Sequence, residues 1–116
     1  MPAKQPPLYP AQRRTLTGLG ERLRLARLRR KLSIEIACQR AGVSRMTLFR
    51  AEAGSPAIAL GTLLRILCVL GLESDLDALA RDDRAGRLLQ DQALPERRRR
   101  STRARPKASE SKERAP

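Results

Sequence analysis

Between about Thr17 and Lys31 the apolar residues recur every three or four positions, with Leu19, Leu23 and Ala26 on one stripe and Leu25, Leu28 and Leu32 on the next. That period predicts a helix with one broad apolar face. Two shorter helices are predicted after it, joined by a glycine turn. Ser33 can cap the first, Ile34 to Ala41, because its hydroxyl accepts an amide hydrogen of the opening turn. Gly42 ends it, since glycine enters the left-handed conformation without steric cost. Val43 offers an apolar plug, and Ser44 can cap a second helix from Arg45 to about Ala53, closed by Gly54. On that helix Leu48 and Ala51 fall on one side, while Arg45, Met46, Phe49 and Arg50 fall on the other.

Beyond a loop containing Pro56, the run Leu60 to Leu70 is apolar nearly all round, more than a small monomer can bury, although it also suits the centre of a core. Asp75 to Ala80 predicts a short helix carrying Leu76 and Leu79, and a last short segment, Arg84 to Gln90, carries Leu88 and Leu89, with Pro95 marking the end. The expected layout is a flexible proline-rich arm over 1–15, one helical domain over 16–95 with its motif at 33–53, and a disordered basic tail over 96–116.

Charge sharpens this division. Residues 17–50 carry nine basic side chains against Glu21 and Glu35, a net +7, whereas residues 51–95 carry four basic against seven acidic, a net −3. The whole chain of 116 residues stands at +13. A basic half joined to an acidic half is expected when one face meets phosphate and another meets protein. With a single Tyr and a single Phe, the core must be built from Leu, Ile, Val and Ala.

The same inventory narrows the chemistry. Histidine is absent, and the two cysteines, Cys38 and Cys68, sit on separate apolar segments, so no metal site and no cofactor are expected. Free buried thiols are the commoner state for such cysteines, with a disulfide between them left open. No phosphate loop occurs and neither cysteine has a nearby base, so no catalytic residue and no enzyme activity are expected. The longest apolar run is broken by Thr62 and Arg65, and no apolar stretch follows the first basic residue, so neither a membrane span nor a secretory leader is expected. A cytoplasmic place, on the bacterial nucleoid, follows.

The stretch LSIEIACQRAGVSRMTLFRAEAG, Leu32 to Gly54, resembles the Xre/Cro (phage-repressor-like) helix-turn-helix family. Cys38 stands where that family usually has alanine, Gly42 at its turn glycine, and Leu48 and Ala51 at its buried positions. The pattern VLGLE followed by DD, GRLLQD and LP is similar to that of the HipB-like antitoxins that accompany HipA-like serine/threonine kinases. The resemblance implies an all-α, five-helix, phage-repressor-like (lambda repressor-like) DNA-binding domain with disordered termini.

It also implies roles. Arg45, Met46 and Arg50 fall at the family's base-reading positions, where an arginine fork matches the two acceptors of guanine. Phe49 either meets a thymine methyl or covers the stems of its neighbours. Ser44, at a helix start, is a phosphate contact, with Thr47, Arg40 and Arg30 as weaker ones. Ile34 departs from the family, which often places a DNA-contacting glutamine there. Arg27 and Glu52 match a pair that the family joins between its first and recognition helices.

The implied function is a sequence-specific transcriptional repressor of double-stranded DNA, acting as a homodimer and as the antitoxin of a HipA-like kinase. Two alternatives stand beside it: a solitary phage-type repressor, and a protein-interaction module that no longer reads DNA. The arginine-rich tail suits nonspecific DNA binding by counterion release, and equally RNA or an acidic protein surface.

Overall fold

The computed structural model of the chain describes residues 6–93. They form helices α1 (Pro10–Arg29), α2 (Ile34–Ala41), α3 (Arg45–Glu52), α4 (Leu60–Leu70) and α5 (Ser74–Ala78), and a helical stretch α6 over 84–93. No strand occurs among the described residues. The all-α class expected from the periodicity holds, with one helical segment beyond the implied five. Among the described residues, those up to Ala78 form one compact unit and those from Leu79 form a second. The expected basic tail and the first residues of the arm lie outside the described residues.

The first helix corrects the expected start at Thr17. It begins at Pro10, so the prolines do not hold the whole stretch to Thr15 in an extended arm. Proline in an opening turn costs nothing there, because its missing N–H would have no intrahelical acceptor. The Tyr9 backbone N–H donates to Gln12 Oε1 at 2.9 Å, which fixes the entry. The exit falls at Arg29 instead of Lys31. Lys31 turns left-handed, with φ of 55°, so its N–H reaches the Leu28 carbonyl at 2.9 Å and the Leu32 N–H reaches that of Arg27 at 3.2 Å. These bonds satisfy carbonyls the helix end leaves open.

The capping residues of α2 and α3 act as their chemistry demands. Ser33 Oγ accepts the Ile36 N–H at 3.1 Å, and Gly42 closes α2 at φ of 69°. Ser44 Oγ accepts the Thr47 N–H at 3.0 Å. The fifth helix is shorter than Asp75 to Ala80 and begins one residue earlier, at Ser74. It stops at Ala78, since Ala80 has a φ of 59° that no helix accommodates.

The core joins Leu23 and Ala26 of α1, Ala37, Cys38 and Ala41 of α2, Leu48 and Ala51 of α3, and Ile66, Leu67 and Leu70 of α4. Each large aliphatic side chain so buried contributes about 1.5–3 kcal/mol. Leu19, Leu32 and Val43 pack against this cluster. Leu28, expected on the apolar face of α1, is 44% exposed; the helix presents a narrower stripe to the core than its leucine content suggests.

Small residues set how closely α1 approaches α3. A Cβ on Gly20 would stand 2.5 Å from the Glu52 carbonyl oxygen, and one on Gly54 would stand 2.5 Å from that of Leu16. Gly54 also has a φ of 79°. Backbone therefore lies against backbone at both ends of the contact, which anchors α3 at its C-terminal end.

Candidate nucleic-acid interface

Eight residues, Arg45 to Glu52, divide into two faces. Leu48 and Ala51 enter the core. Arg45, Met46, Phe49 and Arg50 are exposed, at positions related by one helical turn (45 with 49, 46 with 50), so they form one outward surface. Phe49 is 67% exposed and Met46 54%, an unusual investment of apolar surface for a small domain with little aromatic content. In the isolated chain Phe49 stands out from its neighbours more than it covers them.

The opening turn of α3 has anion-binding chemistry. Its Arg45 and Met46 amides occupy positions that have no intrahelical acceptor, at the positive end of the helix dipole. The Ser44 hydroxyl, besides accepting from Thr47 N–H, donates to Thr47 Oγ1 at 3.0 Å. That uses the single proton of Ser44, so the hydroxyl hydrogen still available at this end belongs to Thr47. Arg40 lies exposed in the last turn of α2. Arg30 sits at the end of α1, where its Nη1 donates to the Ala26 carbonyl at 3.0 Å.

Two ion pairs hold α3 from opposite sides. Inside, Arg27 Nε donates to Glu52 Oε2 at 2.7 Å and Nη2 to Oε1 at 3.1 Å, while Nη1 donates to the Leu32 carbonyl at 3.0 Å. Their side chains are only 9% and 11% exposed. Donating to Glu52 raises the pKa of the Arg27 guanidinium above its already high ordinary value, outweighing the burial that opposes its charge. One arginine thus ties the end of α1, the turn after it and the end of α3. Outside, Arg45 Nη1 meets Glu35 Oε2 at 3.0 Å, with both side chains about two-thirds exposed.

Beneath that outer pair lies Cys38, a free, buried thiol. Burial pushes its pKa up, Arg45 draws it partly back, and Glu35 adds to the rise. Cys68, also free, is exposed on α4. On the far side of α2, Arg65 Nε donates to the Ala41 carbonyl at 3.1 Å, so α4 caps the end of α2.

Glu35 and Arg65 were not legible as parts of this site. Each meets a partner ten or more residues away on another helix, and periodicity along one helix carries no signal for that. The only sequence sign was that Glu35 is one of two acids in a strongly basic stretch. Ile34, at the position where the resembled family often places a glutamine, presents a partly exposed apolar side chain at 38%.

Among the described residues no helix is long and apolar enough to cross a membrane, and no group of three or more His, Cys, Asp or Glu is gathered to hold a metal ion. Two capped helices crossing at a glycine turn, the second exposing a basic outer face, define a DNA-binding helix-turn-helix regulator. Residues 18–80 match the helix-turn-helix domain family, and the chain belongs to it. None of the curated proteins matches it significantly.

Proposed function

We propose that this protein is a sequence-specific transcriptional repressor that reads the major groove of double-stranded DNA with the outer face of α3. Arg45, Met46, Phe49 and Arg50 read bases; the α3 amides, the Ser44 backbone N–H, the Thr47 hydroxyl and Arg40 meet phosphate, with Arg30 at the edge. The observation that carries this reading is that face itself: two arginines and two large apolar side chains, all exposed, on a helix whose opposite side is in the core. Guanidinium forks suit guanine, and apolar tips suit the thymine methyl.

The repressor acts as a homodimer. Leu60, Leu64 and Cys68 recur every four residues along α4 and are all exposed, an apolar stripe suited to a second copy. On the strength of the GRLLQD and LP pattern, the partner is a HipA-like kinase, which makes the protein a HipB-like antitoxin repressing its own promoter. The kinase-binding part of the chain is the acidic half: Glu73, Asp75 and Asp77 in the first unit, and in the second Asp82 and Asp83 with Leu88 and Leu89, which are 62% and 67% exposed. Neither action requires catalysis by this chain.

Selection of duplexes from a random pool by the full chain tests the reading. A defined, two-fold symmetric sequence is the expected result; enrichment of no sequence overturns it in favour of a protein-interaction module. Co-expression with a HipA-like kinase encoded beside this chain tests the antitoxin role. Relief of toxicity supports it, and unrelieved toxicity beside a stable protein leaves a solitary repressor.

A further inference from the structure

The strongest unassigned feature of the reading face is an acid. Glu35 sits in the first turn of α2, and its Oε2 lies 3.0 Å from Arg45 Nη1 at the very start of α3. The other acid of the basic stretch, Glu21, faces Arg24 on α1 instead. A carboxylate beside the groove opposes the approach of phosphate, which makes it a poor component of a surface meant only to hold DNA. As an ion pair it adds little to the fold, because water screens both exposed partners.

We propose that Glu35 is a positioning residue for specificity: it orients Arg45 toward base edges and cancels its charge toward phosphate. This rests on the DNA reading proposed above. Arg45 engages Glu35 through Nη1, which leaves the Nε and Nη2 edge, two parallel donors, for the N7 and O6 acceptors of one guanine. Anchoring the guanidinium at one corner reduces the rotamer freedom lost when that bidentate contact forms. A neutralised Arg45 also releases no counterion on a random duplex, so nonspecific binding is held down while the matched sequence still gains its base contact.

The test compares wild type with Glu35→Gln, which keeps size and removes charge, and with Glu35→Asp, which keeps charge on a shorter stem. Each is titrated over a range of salt against the duplex selected by wild type and against a random-sequence duplex. Glu35→Gln should bind the random duplex about fivefold more tightly near 0.15 M salt and steepen its salt slope by roughly one, as expected for one freed cation. Its affinity for the selected duplex should rise less, so the ratio of the two falls, and a repeated selection should relax the preference at the base pair that Arg45 reads. Glu35→Asp should restore part of the ratio.

Two results overturn the inference while leaving the DNA reading intact. One is an unchanged salt slope and selected sequence in Glu35→Gln. The other is equal weakening on both duplexes with a lowered melting temperature, which would make Glu35 a support for the first turn of α2 only. If wild type binds no duplex at all, the inference falls together with the reading it rests on.

Discussion

The two faces of α3 obey different rules although they share eight residues. On the inner face, Glu52 is locked by a bidentate arginine in a nearly dry environment, with Leu48 and Ala51 beside it in the core. On the outer face, Arg45 holds a single-point contact with Glu35 in water, and Met46, Phe49 and Arg50 project outward. The same pairing of arginine with glutamate therefore does two jobs. Where water is excluded it fixes the position of the helix, because separating the charges leaves one of them stranded. Where water is present it barely affects folding and leaves the arginine available to a ligand.

The difference can be broken most forcefully from inside. Glu52→Ala strands the buried Arg27 charge and is expected to cost about 3–5 kcal/mol of stability in denaturant unfolding. In a double-mutant cycle with Arg27→Met, the second substitution should recover part of that loss; additive losses would show that the two charges are not coupled. Next in size is Gly54→Ala. Its new methyl group meets the Leu16 carbonyl at a left-handed residue, so overpacking of about 1–3 kcal/mol adds to a backbone penalty of about 1–2 kcal/mol. An unfolding curve superimposable on wild type would contradict the close backbone contact.

From outside, the expectation reverses. Arg45→Ala and Arg50→Ala should each cost about 1–3 kcal/mol in binding the selected duplex, while stability moves by no more than about 0.5 kcal/mol. Equal losses on selected and random duplexes would place these arginines on phosphate rather than on bases.

The smallest effect concerns Cys38, the buried thiol of α2. Because burial raises its pKa, the fold favours the neutral thiol. That contribution is fully present below the ordinary thiol value, about 8.5, and is lost as pH rises toward the higher folded value. Melting temperatures measured from neutral to alkaline pH should fall more steeply for wild type than for Cys38→Ala; parallel profiles would show that the thiol titrates alike in both states.

Much of this site is visible along the chain because its signals are local. Ser33 and Ser44 act within one turn of themselves, Gly42 turns where its own missing Cβ allows, and the spacing of Leu48 and Ala51 names the buried side of α3. The start of α1 at Pro10 departs from the expected Thr17 for a local reason too. Four prolines before Thr17 argue against helix, yet only their places relative to the first turn matter, and Pro10 occupies the one place where a proline helps.

The sequence by itself determined the helical class, the capped pair of short helices, the outward set Arg45, Met46, Phe49 and Arg50, and the separation of basic from acidic halves. These follow from the period of a helix, the valence of a capping hydroxyl and the count of charges, all of which act within a few residues. Only the tertiary structure decided that Leu28 stays in water, that Arg65 caps α2 from α4, that Gly20 and Gly54 bring backbone against backbone, and that Glu35 meets Arg45 on the exposed face. Each depends on the angle and distance at which two helices cross. Those are set by the fit of the whole core, since a carboxylate carries no local mark of the arginine it will meet ten residues on.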